Sequence, residues 1–153
     1  MEPRLFPHKL APGIMKAMIE LEKTVAASGL EYSLYELVRI RASQINGCAY
    51  CIHMHTLDAR RAGETEERIY LVSAWRESPL FTPRERAALA WAESLTLVAR
   101  TGAPDEDFEA LRGHFTQEEI VALSMAINTI NLWNRIAVGF RSVHPVESNV
   151  SAA

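Results

Sequence analysis

Cysteine is almost absent: the chain has two in 153 residues. That excludes the disulfide framework that holds small secreted domains together. Nor is a covalent staple needed, because a chain of this length buries roughly 68–70% of the surface it would expose unfolded. No apolar run approaches the ~18 residues of a membrane-spanning helix. The opening MEPRLFPHKLAPGIM carries two prolines before residue 10 and no apolar stretch, which predicts no secretory leader. An excess of positive charge is also missing. Lys and Arg number 16 against 19 Asp and Glu, a formal net charge of −3, and the basic residues are scattered. Nothing therefore favours nucleic acid or an anionic membrane. Period-2 strand patterns, β-hairpin signatures, tandem repeats and low-complexity tracts are all lacking. The expectation is one cytoplasmic domain over residues 1–153. In the cytoplasm a cysteine pair is more often redox-active or metal-binding than structural.

What is present is a succession of helix signals, which predicts an all-α fold of about seven helices. Pro12-Gly13 opens an amphipathic stretch with Ile14, Met18 and Leu21 on one face, and Gly29 follows as a stop. Ser33-Leu-Tyr-Glu36 has the spacing of a capping box, with Leu34, Leu37, Val38 and Ile45 continuing an apolar face. Asn46-Gly47 interrupts before a helix from Cys48 to Ala62, ended by Gly63. Thr65 precedes Glu66 and Glu67, acids that complement a helix N-terminus. Thr82-Pro-Arg-Glu85 is a second capping box, and its helix should run to Thr101-Gly102. A short helix is expected between Pro104 and Gly113. Thr116-Gln-Glu-Glu119 opens the longest helix, to about Phe140. That helix is apolar around most of its circumference, so it is either central or shared with a second subunit, with Trp133 and Phe140 as contributors. Asn128, Asn131 and Asn134 on it read as a polar edge and would need partners if buried.

The chemistry concentrates in Cys48-Ala-Tyr-Cys51-Ile-His53-Met-His55. At about 100° per residue, Cys51 lies about 60° and His55 about 20° from Cys48, whereas His53 falls about 140° away. An i, i+3 pair places its Cα atoms about 5 Å apart, within disulfide range. Cys48 belongs to the first turn, where exposed N–H groups and the helix dipole stabilise a thiolate. His55 is suited to exchange a proton near neutral pH. Other readings compete with a helical dithiol site. Two inert buried cysteines are one. A zinc site is another, but a single helix cannot wrap Cys48, Cys51, His53 and His55 tetrahedrally around one ion. A thioredoxin-like site expects a βαβ context, which is absent. Neither a metal nor another cofactor is expected.

A Glu, a C-x-x-C twelve residues later and a His four beyond it, here Glu36, Cys48, Cys51 and His55, resemble the AhpD-like branch of the carboxymuconolactone decarboxylase superfamily. The run from Glu36 to Cys51 is the most characteristic part, and the resemblance extends over roughly residues 30–100. It implies an all-helical fold assembling as trimers or hexamers. It implies hydroperoxide reduction in which Cys51 attacks the O–O bond and Cys48 condenses with the resulting sulfenic acid. Glu36 and His55 would relay protons, and an external dithiol or disulfide-reductase partner would regenerate the pair. Tyr50 stands where AhpD-type members carry a histidine before the second cysteine. The alternative is a dithiol redox sensor or disulfide-exchange adaptor without efficient peroxide turnover. Glu36 keeps two readings, a cap partner of Ser33 or the relay carboxylate.

Overall fold

In the computed structural model residues 2–146 are described, and among them the secondary structure is helical throughout. The α-helices are α1 (Pro7–Leu10), α2 (Pro12–Ala26), α3 (Tyr32–Ile45), α4 (Ala49–Arg61), α5 (Glu66–Leu71), α6 (Pro83–Thr96), α7 (Val98–Thr101), α8 (Asp105–Arg112) and α9 (Gln117–Phe140), with a 3-10 segment over Val72–Glu77. The seven expected helices are α2 to α6, α8 and α9. Two four-residue turns, α1 and α7, raise the number to nine among the described residues. The helix opened at Thr82 stops at Thr96, because Leu97 leaves helical geometry (φ −102°, ψ 25°) and a separate turn carries the chain to Gly102.

α3 is the axis of the molecule. It packs on α4, α6 and α9, and its side chains enter four apolar clusters, in one of which Tyr35 joins Val25 and Ala126. Leu34 and Val38 meet Trp91, Leu111, Leu123 and Ile127 on one side. Leu37 and Ile40 meet Ile69, Val72, Trp75 and Leu89 on another. Ala42 joins Ile130 and Ala137 around the two cysteines. Complete burial of a side chain such as Leu37 contributes about 1.5–3 kcal/mol, and a helix buried on several faces gives whatever polar group it carries a fixed, water-poor setting. Both expected capping boxes at Thr82/Glu85 and Thr116/Glu119 form reciprocally, and Thr65 accepts from the Arg68 N–H to start α5.

Two expectations are corrected. The buried face of α2 is Met15 and Val25, with Met18 half-buried, while Ile14 is 67% exposed and Leu21 also faces outward. The true stripe, residues 15, 18, 22 and 25, includes Glu22, whose charge disguised it. Ser33 and Glu36 do not form a capping box. The N-cap of α3 is Glu31, without a side-chain cap. Ser33 Oγ instead donates to Glu64 Oε2 at 2.7 Å, and Glu36 is 1% exposed, turned into the interior.

Candidate active site

The site begins at the turn between α3 and α4. Asn46 ends α3, Gly47 takes a left-handed φ of 65°, and Cys48 is the N-cap of α4. Gly47 is needed here because L side chains rarely adopt that φ. The Cys48 N–H donates to Ser43 O at 2.9 Å, closing the turn. Asn46 Nδ2 donates to Asn131 Oδ1 and Asn134 Oδ1 at 2.8 and 2.9 Å. Asn134 Nδ2 in turn donates to Ser43 Oγ at 3.0 Å, and Asn131 Nδ2 to Thr96 Oγ1 at 3.0 Å. Of the three asparagines read as a polar edge, Asn128 is exposed, whereas Asn131 and Asn134 are buried and tie α9 to this turn. The three-residue spacing of these asparagines, with an Asn-Gly turn elsewhere in the chain, is the signal in the sequence for this link.

Cys48 and Cys51 are joined as a disulfide, with Cα atoms 5.4 Å apart. Their exposures are 1% and 2%. The Cys51 N–H points to Cys48 Sγ at 3.3 Å, so the sulfur occupies the capping position. His55, one turn beyond Cys51, is buried, and its Nδ1 donates to Glu36 Oε2 at 2.9 Å. With Nδ1–H committed to the carboxylate, Nε2 is the nitrogen left to accept a proton. His53 lies elsewhere, its ring stacked on His144 at 4.5 Å. Among the described residues no group of three or more His, Cys, Asp or Glu is arranged to hold a metal ion, and none of the helices is long and apolar enough to cross a membrane.

Glu36 Oε1 accepts from Arg39 Nη1 at 3.0 Å. The guanidinium lies over the Tyr35 ring, 3.6 Å from its centroid, and its Nη2 meets the Tyr35 hydroxyl and Glu22 Oε1. Glu22 also accepts from Tyr35 Oη at 2.6 Å and from Trp133 Nε1 at 3.1 Å. Burial pulls Arg39 down to about 9, against the opposing pull of Asp58. Burial first, then the Glu36 charge, pushes the Tyr35 phenol up.

A cavity of about 570 Å³ opens beside these groups, lined by Cys51, His55, Tyr50, Arg39 and Glu22 together with apolar residues such as Phe6, Met15 and Trp133. Its size falls within the range of small-molecule sites. Cys51 lines this cavity; Cys48 does not.

An all-helical fold carrying a C-x-x-C pair at a helix N-terminus, backed by a Glu–His pair on adjacent helices, defines an AhpD-like protein. The chain belongs to the carboxymuconolactone decarboxylase family, whose pattern matches residues 12–94; Glu36, Cys48, Cys51 and His55 all lie within that span. It is 45% identical over 138 residues to the uncharacterized protein YdfG of Bacillus subtilis (strain 168), covering 90% of this chain and 94% of that one. Among solved structures it is similar to ATU0492 of Agrobacterium tumefaciens, a protein of unknown function described as a candidate antioxidant defence protein AhpD. The identity is 52% and the TM-score 0.93, with 95% of this chain and 100% of that chain covered. A peroxidase-related protein from Ralstonia eutropha JMP134 shares the fold at 24% identity and a TM-score of 0.78, over 88% and 72% of the two chains.

Proposed function

We propose that the protein is a thiol-dependent peroxidase. In the reduced form the Cys51 thiolate attacks the distal oxygen of a hydroperoxide, ROOH. The O–O bond breaks, ROH leaves with a proton, and Cys51 becomes a sulfenic acid. The Cys48 thiol then displaces water from Cys51, forming the disulfide. The sum is two thiols plus ROOH giving a disulfide, ROH and water. His55 Nε2 takes and returns the protons in this sequence, and Glu36 holds the imidazole in the tautomer that leaves Nε2 free. An external dithiol restores the pair by exchange through a mixed disulfide. The observation that carries this reading is the disulfide with one sulfur on a cavity that also receives the Glu36-oriented His55.

That arrangement also favours Cys51 over Cys48 as the attacking cysteine. The helix dipole favours the thiolate at Cys48, yet Cys51 is the one with access to the cavity, and access governs attack. The apolar residues of the lining suit a hydroperoxide with an apolar body. The test is a Cys48→Ser variant treated with cumene hydroperoxide. Mass spectrometry should show a sulfenic acid, trapped by dimedone, at Cys51. An adduct absent from reduced, peroxide-treated Cys48→Ser protein would contradict the peroxidase reading.

A further inference from the structure

We propose that Arg39 is a positioning residue, clamped by Glu22 from α2, that fixes the Glu36 carboxylate and thereby sets the charge felt by His55 and Cys51. This goes beyond the Glu36–His55 relay proposed above and rests on the same site. The geometry divides the two oxygens of Glu36: Oε1 accepts from Arg39 Nη1 at 3.0 Å, and Oε2 accepts from His55 Nδ1 at 2.9 Å. A carboxylate with one oxygen pinned has one orientation left for the other. Arg39 is itself held by its stacking on Tyr35 and by its Nη2 contacts to the Tyr35 hydroxyl and Glu22. Glu22 is held in turn by Tyr35 and by Trp133 of α9. A planar guanidinium with two usable edges suits this bridge between two carboxylates.

The charges define what the clamp does. Arg39 lies between Glu22 and Glu36, so the three sum to −1 beside the His55 imidazole. The other titratable groups facing the cluster are Tyr32 and Tyr35 on α3, Tyr50 and Asp58 on α4, and His8 and Lys9 at the outer wall of the cavity. From α9 the neutral Trp133 indole faces it. Removing the Arg39 charge leaves the cluster more negative and disfavours a thiolate at Cys51. Removing the Glu22 charge does the reverse. A scaffold role would not produce opposite signs.

The experiment measures the pH dependence of Cys51 alkylation by iodoacetamide in the reduced protein. It needs no hydroperoxide, so it stands or falls separately from peroxidase turnover. The alkylation limb should move to higher pH in Arg39→Met and to lower pH in Glu22→Gln, each by about half a unit or more, the scale of a nearby charge in a partly buried site. Arg39→Lys, which keeps the charge, should hold the limb within a few tenths of wild type. Long-range 1H–15N spectra should show the proton on His55 Nδ1 in wild type and a mixture of tautomers in Arg39→Met. Shifts of the same sign in Arg39→Met and Glu22→Gln, or no shift in a folded Glu22→Gln, would overturn the proposal. Should Arg39→Met not fold, Glu22→Gln and Arg39→Lys decide it alone.

Discussion

At Glu36 a four-residue pattern and a three-dimensional contact give opposite answers. Ser-x-x-Glu is the spacing of a capping box, and at Thr82/Glu85 and Thr116/Glu119 that spacing does make one. At Ser33 the hydroxyl goes to Glu64 instead, and Glu36 meets Arg39 and His55. The local rule failed because its competitor lies 19 residues away on another helix. The same carboxylate is singled out in the sequence by its place before the C-x-x-C motif and does meet His55, and the angular arithmetic that puts His55 with the cysteines and His53 away from them agrees with their positions. The Arg39–Glu22 pair was not legible, since that contact depends on α2 reaching α3. Glu36→Gln should leave the start of α3 intact, because no cap is lost, and should lower peroxide turnover by about 10²-fold, the lower end for general acid–base catalysis. Far-UV circular dichroism and steady-state rates check this. Wild-type turnover in the folded variant would remove Glu36 from the relay.

Between elements, buried polar links decide how the cysteine turn is held. Asn134 is fully buried and serves both Asn46 and Ser43. Asn134→Leu removes the donor to Ser43 Oγ and leaves Asn46 Nδ2 with Asn131 as its remaining acceptor, and should destabilise the protein by about 1–3 kcal/mol. At about 2–4 °C per kcal/mol for a chain of this size, thermal unfolding should show the loss. An unchanged melting temperature would mean that the turn does not depend on α9. Glu93 makes a second link, accepting from Arg41 of α3 at 2.7 Å, from Trp75 at 2.9 Å and from Arg76. Burial acts to raise its pKa, but the hydrogen bonds from Arg76, Trp75 and Arg41 prevail and hold the carboxyl below its usual value. A carboxylate depressed in this way adds stability that is complete above its unfolded value, about 4.3, and lost as pH falls through the folded value. Melting temperatures should therefore drop below about pH 4 in wild type, and Glu93→Gln should flatten that acid limb. The face of α2 shows why patterning alone was insufficient: a charged residue sits on the buried stripe because it has partners there.

Over the whole molecule, α9 has one face in the core and another bearing Val121, Met125 and Leu132, all exposed. Ile14 and Leu21 of α2 and Leu5 and Phe6 near the N-terminus add to the apolar surface. Trp133, expected at a subunit contact, faces the cavity and donates to Glu22. Exposed apolar area of this kind is a common mark of association, so the protein is predicted to form a homo-oligomer. Light scattering at micromolar concentration should return a multiple of the 17.1 kDa chain mass. Replacing Val121 and Leu132 by Glu together should lower it, and a monomeric wild type would contradict the prediction. The claim on which the rest depends is that the pair Cys48–Cys51 is a working dithiol. Its most direct test is a thiol titration of the reduced, oxidant-free protein before and after one equivalent of cumene hydroperoxide. Two thiols per chain should be lost, with one cumyl alcohol formed and both thiols recovered on adding a dithiol. Two thiols still titrating after the peroxide would contradict it.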